Sequence, residues 1–257
     1  DSFRLTTKCA LGSMPDEEVY DRFNTSLIRS LETMGTEYGD LFLLHSQLIE
    51  NDHESQKPDS SFVATGNLTT LKSFYDAVVP AMETLKKEGK ILNWGIGPGQ
   101  EEAVCDVINS TTPPDAIQCG VNVLNSLGAI GYASTKPNPK LVLDESKKKD
   151  IPILAIRAVQ AGALTSKMDR EPHPSGFDHP DFADYEKAQP FRELAEDWGE
   201  SPASLAHRYA LSIDKVGSVI LGIKNREELI ECLEAEKKGR LDTCLLYTSP
   251  SPRDSCA

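Results

Sequence analysis

The chain has 257 residues, 39% of them hydrophobic, enough for one large α/β core or two small domains. Its 40 acidic and 27 basic residues give a formal net charge of -13, with Lys and Arg scattered among acids, so no basic stripe is left to follow a nucleic-acid backbone or an anionic bilayer. The six cysteines (Cys9, Cys105, Cys119, Cys232, Cys244, Cys256) lack metal-ligand spacing and no apolar run approaches the roughly 20 residues of a membrane span, so a reducing cytoplasm, no metal and no membrane are expected.

The chain opens without Met on residues 3–9, whose alternating β-branched and apolar side chains predict a strand, an opening expected of a piece of a longer protein. Residues 16–34 carry Val19, Phe23, Leu27 and Leu31 at steps of four, one face of a helix that Gly35 ends. Residues 40–45, DLFLLH, form a continuous apolar run and predict a strand covered on both faces. Residues 46–70 are polar and without period, and read as a long loop. A helix is predicted over 71–88, with Val78, Met82 and Leu85 together and Gly89 as its stop. Residues 91–96 predict a strand, 101–108 a helix before a Thr-Thr-Pro-Pro breaker, 116–119 a strand and 140–149 a helix.

Residues 151–156 repeat the buried-strand pattern and are followed by a Gly- and Pro-rich stretch to Pro180. Residues 187–198 read as helical. Ser201-Pro202 then starts another helix with an N-cap serine and a first-turn proline. Residues 216–221 predict the last strand and 227–237 the last helix. The last stretch, 243–257, follows no rhythm; it reads as an artefactual, adapter-like tail or a native disordered terminus.

Six strand-helix units in alternation imply a parallel sheet with crossover helices. Lys8, His45, Gly97, Gln118 and Arg157 fall at or just after strand C-terminal ends, where a (β/α) barrel gathers its site, so a barrel is preferred over a doubly wound sheet. The alternative would offer G-x-G-x-x-G after an early strand, whereas Gly95-Ile96-Gly97-Pro98-Gly99 has the wrong spacing and a proline without an N–H. His173, Asp178 and His179 lie too loosely in a loop to be read as a metal site.

Several segments, TTK at 6–8, SLETMGTEYGDLFLLH at 30–45, GKILNWGIG at 89–97, Ile117-Gln118 with Asn122, AIRAVQAGALTSK at 155–167, and SPASLAHRYALS followed by VGSVILGIKNREEL, together resemble aldo-keto reductases. The likeness runs over residues 4–242, and residues 1–242 are taken as one partial barrel domain. It implies an eight-stranded (β/α)8 TIM barrel, here incomplete with strands three to eight, and a nicotinamide cofactor across its C-terminal face. On this reading the chain is an N-terminally truncated piece. Lys8 and His45 match the family's catalytic lysine and histidine, while its aspartate and tyrosine have no counterpart, since Tyr20 and Asp21 lie in a helix. The intact protein is then expected to be an enzyme and the fragment inactive.

A hydride delivered to a carbonyl carbon leaves negative charge on oxygen, which must be stabilised and protonated. In the likeness His45 orients the carbonyl and Lys8 supplies the cation. Gln118 matches the glutamine that holds the nicotinamide amide, but Gly97-Pro98 occupy a Ser-Asn pair and offer no side-chain donor. Arg157 stands at the barrel mouth, for phosphate or for substrate, and Gly162 and Leu164 match the pyrophosphate-side loop. Lys224 matches the group that grips a 2'-phosphate, and Asn225 the cap of the next helix. Glu228 and Cys232 stand where Arg or Gln and Asn are common. NADP is preferred on Lys224, with NAD as the alternative.

The resemblance thus implies an NAD(P)H-dependent oxidoreductase acting on a small-molecule aldehyde, ketone or sugar-like carbonyl, with neither nucleic acid nor membrane as a partner and the oligomeric state open. The other reading is a cofactor-binding regulatory subunit or pseudoenzyme, favoured by Gly97-Pro98. A Schiff-base lyase using Lys8 ranks third.

Overall fold

In the computed structural model strands alternate with helices over most of the chain, and five strand pairings among the described residues are parallel. The structure describes residues 3–12, 14–50, 67–131, 133–134, 136–168, 171 and 180–242. The 243–257 tail, Cys244, Cys256, His53, His173, Asp178 and His179 therefore lie outside the described residues. The chain divides into two compact units: Asp1–Gln118 with Tyr132–Lys136 and Lys148–Pro152, and Cys119–Gly131 with Pro137–Lys147 and Ile153–Ala257.

In the first unit, β1 (Thr6–Cys9) pairs with β2 (Gly39–Leu44), β2 with β5 (Ile91–Ile96), and β5 with β6 (Ala116–Gly120). Register and two-residue alternation sort the side chains. One face carries Phe42 beside Trp94, and the other the row Lys8, Leu43, Gly95, Ala116. Helix α1 (Val19–Met34) buries Val19, Phe23, Leu27 and Leu31 at the predicted four-residue steps. Its Phe23 meets Phe42 edge to face, centroids 5.5 Å apart. Both rings are wholly buried, and each such burial contributes about 1.5–3 kcal/mol.

The helix predicted over 71–88 forms in three pieces. An α turn, α2 (Leu71–Ser73), is capped by Thr70, whose side chain accepts from the Ser73 N–H. A π turn follows over Phe74–Val78, and α3 (Val79–Lys87) completes it. Pro80 is the physical reason: it has no N–H to give to the carbonyl of Asp76, and its ring crowds that turn, so the ladder widens there. Behind β5, Trp94 donates from Nε1 to Glu83 at 2.6 Å, which fixes α3 on the strand.

Eight strands are present among the described residues, not six. The additional two, β3 (Gln47–Ile49) and β4 (Leu68–Thr70), come from the ends of the stretch read as a loop and pair with each other as a separate two-stranded sheet. Three residues are too few for a period-2 signal, which is why the sequence hid them. The expectation of an incomplete barrel holding only strands three to eight is corrected to an α/β fold with eight strands.

The second unit begins in β6 and contains α5 (Pro139–Lys149) up to Lys147, β7 (Ile153–Ile156) and β8 (Val216–Val219), with β7 pairing β8 from Ile153 opposite Val216. Helix α4 (Glu101–Asn109) belongs to the first unit. The helix predicted over 187–198 is α7 (Gln189–Asp197), with Pro190 in its first turn; α6 (Pro180–Lys187) precedes it and was not predicted. Helix α8 (Pro202–Ser212) begins as predicted, Ser201 accepting from the Ser204 N–H at 3.1 Å. Its Leu205 and Ala206 pack with Leu164, Phe191 and Ala195 in one buried cluster. Glu200 binds Arg208 at 2.6 Å and Lys238 at 3.2 Å, tying α8 to α9 (Arg226–Lys238). Burial alone would raise the Glu200 carboxyl, but Ser204, Lys238 and Arg208 outweigh it and hold it low. No helix among the described residues is long and apolar enough to cross a membrane.

Candidate functional site

Parallel register in the first unit gathers polar residues at the carboxyl ends of its strands. Lys8 is opposite Leu43, and His45 follows two residues later on the same face, its N–H bonded to the Cys9 carbonyl at 2.8 Å. Gly97 and Gln118 stand two residues beyond Gly95 and Ala116 and return to that face. Lys8 is exposed, His45 half-buried and Gln118 buried. Burial, and then the Lys8 ammonium, hold His45 below its ordinary value, so at neutral pH it is an uncharged imidazole beside a cation. Gly97 is tightly placed: a Cβ there would sit 3.1 Å from the Leu44 carbonyl oxygen.

Tyr20 and Asp21 lie elsewhere, as the helical reading requires. The Tyr20 hydroxyl donates to Glu88 at 2.9 Å, beside Lys90, which precedes the first residue of β5 and so marks the opposite strand end. Tyr75 donates to Asp106 at 2.6 Å, and Tyr38 precedes the start of β2.

The second unit holds a cavity of about 720 Å³. One wall is the loop after β7, from Arg157 to Lys167; the others come from Ala203 and His207 on α8, from residues 220–224, and from Glu228, Glu231 and Cys232 on α9. The loop is tightly wound. Arg157, Gln160 and Ala161 all have positive φ (58, 45 and 51°), and Gly162 has 97°, a cluster that costs energy unless its surroundings enforce it. Those surroundings are polar and buried. Arg157 Nη1 is 3.0 Å from Oδ1 of Asp181, whose side chain is 2% exposed. The same oxygen accepts the Ala129 N–H at 3.1 Å. Asp184 accepts from Gln160 at 2.8 Å and from the Ser126 hydroxyl at 2.5 Å, and Asn122 donates to the Arg157 carbonyl at 3.2 Å. At Gly162 the backbone needs its positive φ, and a Cβ would come within 3.2 Å of the Met168 sulfur.

On the α9 side, Asn225 caps the helix by accepting the Glu228 N–H at 2.9 Å. The Glu228 carboxylate returns the contact, accepting from the Lys224 N–H at 2.9 Å and from Asn225 Nδ2 at 3.2 Å. Lys224 Nζ is 3.6 Å from the same carboxylate. Deeper in the wall, Cys232 Sγ is 3.4 Å from His207 Nε2. Burial, with Glu231 and Glu228, raises the thiol, while burial lowers His207 against the opposing pull of Glu231. The two therefore face each other uncharged.

His207 carries a pH prediction. Its folded-state value lies below its ordinary 6.5, so the unfolded chain binds the proton more readily. Its stability contribution is complete above the unfolded value and declines as pH falls from there toward the folded value. His207→Gln is expected to flatten the dependence of unfolding free energy on pH as pH falls below about 6.5; an unchanged slope in urea titrations would contradict it.

The structure thus brings Lys8, His45 and Gln118 to one face and one strand end, and places Arg157, Gly162 and Lys224 on the cavity. Leu164 is fully buried in the hydrophobic cluster and does not line the cavity, and Asn225 serves as a cap. The reading of the sequence missed Gln160, Asp181 and Asp184. The two aspartates flank Phe182-Ala183 at a helical i, i+3 spacing, the one signal that both point the same way. Among the described residues no group of His, Cys, Asp and Glu is placed to hold a metal.

A family model described as the aldo/keto reductase family matches residues 1–244. Two solved structures are similar, both of aldo-keto reductase AKR11C1 from Bacillus halodurans. The apo form is 18% identical with a TM-score of 0.64, covering 94% of this chain and 68% of its own. The holo form is 17% identical with a TM-score of 0.67, covering 95% of this chain and 70% of its own. No curated protein matches. The reading of the chain as a fragment is corrected to membership of the family over residues 1–244, with 94–95% of the chain covered by the solved structures. Nothing in these matches supports the expectation of inactivity.

Proposed function

Since the chain belongs to the aldo/keto reductase family, we propose that it serves the NAD(P)H-dependent reduction of an aldehyde, ketone or sugar-like carbonyl. The observation that carries this reading is the pairing of Lys8 with His45 at the ends of adjacent parallel strands, close enough for the ammonium to depress the imidazole. A bound dinucleotide would supply hydride. The second unit's cavity has the volume, the glycine-permitted close approach at Gly162 and the mixed charge of an adenosine-phosphate seat. Gln118 is assigned to the nicotinamide amide.

Toward the substrate, neutral His45 donates an N–H to the carbonyl oxygen and orients it. Lys8 stabilises the negative charge that gathers on that oxygen and can hand it a proton. Turnover is tested by following oxidation of NADPH and of NADH with a panel of aldehydes, ketones and sugars. His45→Ala and Lys8→Met are each expected to lower kcat/KM by about 100-fold. Turnover indifferent to both substitutions would defeat the reading.

A second reading has its own observation. Gly97-Pro98 give the ring no side-chain donor, and the described tyrosines of the first unit are held away from Lys8 and His45. A cofactor-binding regulatory subunit fits this, and dinucleotide binding without turnover on any carbonyl would support it.

A further inference from the structure

We propose that Glu228 sets the dinucleotide preference, so that the cavity of the second unit takes an adenosine whose ribose keeps a free 2'-hydroxyl, as in NAD(H), and turns away the 2'-phosphate of NADP(H). The inference rests on the reading that the chain binds a nicotinamide dinucleotide. Lys224 by itself argues for a phosphate seat; its surroundings argue the other way. Both oxygens of the Glu228 carboxylate are already bound. Oε2 accepts the Lys224 N–H at 2.9 Å, while Oε1 accepts from Asn225 Nδ2 at 3.2 Å and lies 3.6 Å from Lys224 Nζ. These are the donors that an incoming phosphate at this corner would use.

The protein's own carboxylate therefore holds the anion position at the start of α9. It does so in the cavity wall, where Glu228 and Lys224 both face the space and Glu231 adds a second acid. A phosphate carrying nearly two negative charges would have to displace this carboxylate from its bonds or lie beside it. Either route sets like charge against like charge where the field of the helix N-terminus is already neutralised. A ribose hydroxyl meets the opposite situation. Its O–H donates to the carboxylate oxygen without displacing anything, in a charge-assisted bond. The same group thus attracts one ribose and repels the other.

The test is calorimetric titration of the full chain with ADP-ribose and with its 2'-phosphorylated counterpart, which removes redox chemistry from the readout. Wild-type chain is expected to bind ADP-ribose at least about ten-fold more tightly. Glu228→Gln keeps an acceptor for the Lys224 N–H but drops the charge, and is expected to shrink the ratio to within about three-fold, chiefly by strengthening the phosphorylated ligand. Glu228→Arg is expected to invert it. Because the ratio compares two ligands on one preparation, partial loss of folded protein cancels. Tighter or equal binding of the phosphorylated ligand by wild type, or an unchanged ratio in Glu228→Gln, overturns the inference while leaving dinucleotide binding intact. A folded chain that binds neither ligand overturns both.

Discussion

Gly95→Val is expected to destabilise the first unit by about 4 kcal/mol, above the usual range for an overpacked core. A Cβ at this position would lie 2.4 Å from the Ala116 carbonyl oxygen and 2.7 Å from Leu43 Cδ2. The leucine could rotate aside; the carbonyl cannot, because β6 is held in register with β5. The branched side chain would have to pry the two strands apart beneath the polar row that ends in His45 and Gln118. Urea unfolding should show a lowered midpoint for Gly95→Val and an intermediate one for Gly95→Ala. A midpoint unchanged in both would mean that the strand spacing is set elsewhere. The prediction also reaches function, since any splaying of β2, β5 and β6 moves His45 away from Lys8.

How much of this was legible in the sequence depends on whether the cause was local. Val19, Phe23, Leu27 and Leu31 announced their helix because burial repeats with the helical period. Ser201-Pro202 announced the start of α8 because a cap needs only its own next three residues. Lys8 and His45 could be placed together from chain position alone, since parallel strands in register put all their carboxyl ends on one side. The sheet of β3 and β4 could not be read, because neither strand reaches a full alternation and their pairing spans a long stretch of chain. Nor could the partner of Arg157. Its positive charge at the mouth of a strand reads as a ligand contact, but Asp181 meets it from 24 residues away. Leu164, matched to a ligand-side loop, proved to be a core residue for the same reason: Phe191 and Leu205 arrive from distant helices. Lys224 and Glu228 lay four residues apart in plain view, one just before the Asn225 cap and the other in the first turn of α9.

The ion pair of Arg157 and Asp181 carries the second large expected effect. Its side chains are 13% and 2% exposed, so removing either partner takes a close counter-ion from a charge in a poorly solvated place, at a cost of up to about 3–5 kcal/mol. Arg157→Met leaves the Asp181 carboxylate with the Ala129 N–H among its remaining contacts; Asp181→Asn leaves the guanidinium facing an amide. Replacing both should cost clearly less than the sum of the two, because neither charge is then left facing the missing partner. The damage should also reach the cavity. Arg157, Gln160 and Ala161 hold left-handed backbone conformations, which persist only while the buried contacts enforce them. Each single substitution is therefore expected to weaken ADP-ribose binding along with stability, although Asp181 does not line the cavity. A double-mutant cycle by urea unfolding, with ADP-ribose titrations on the same four proteins, measures both. Strict additivity of the two stability losses, or full-strength binding in the destabilised single variants, would show that the loop keeps its shape without the pair.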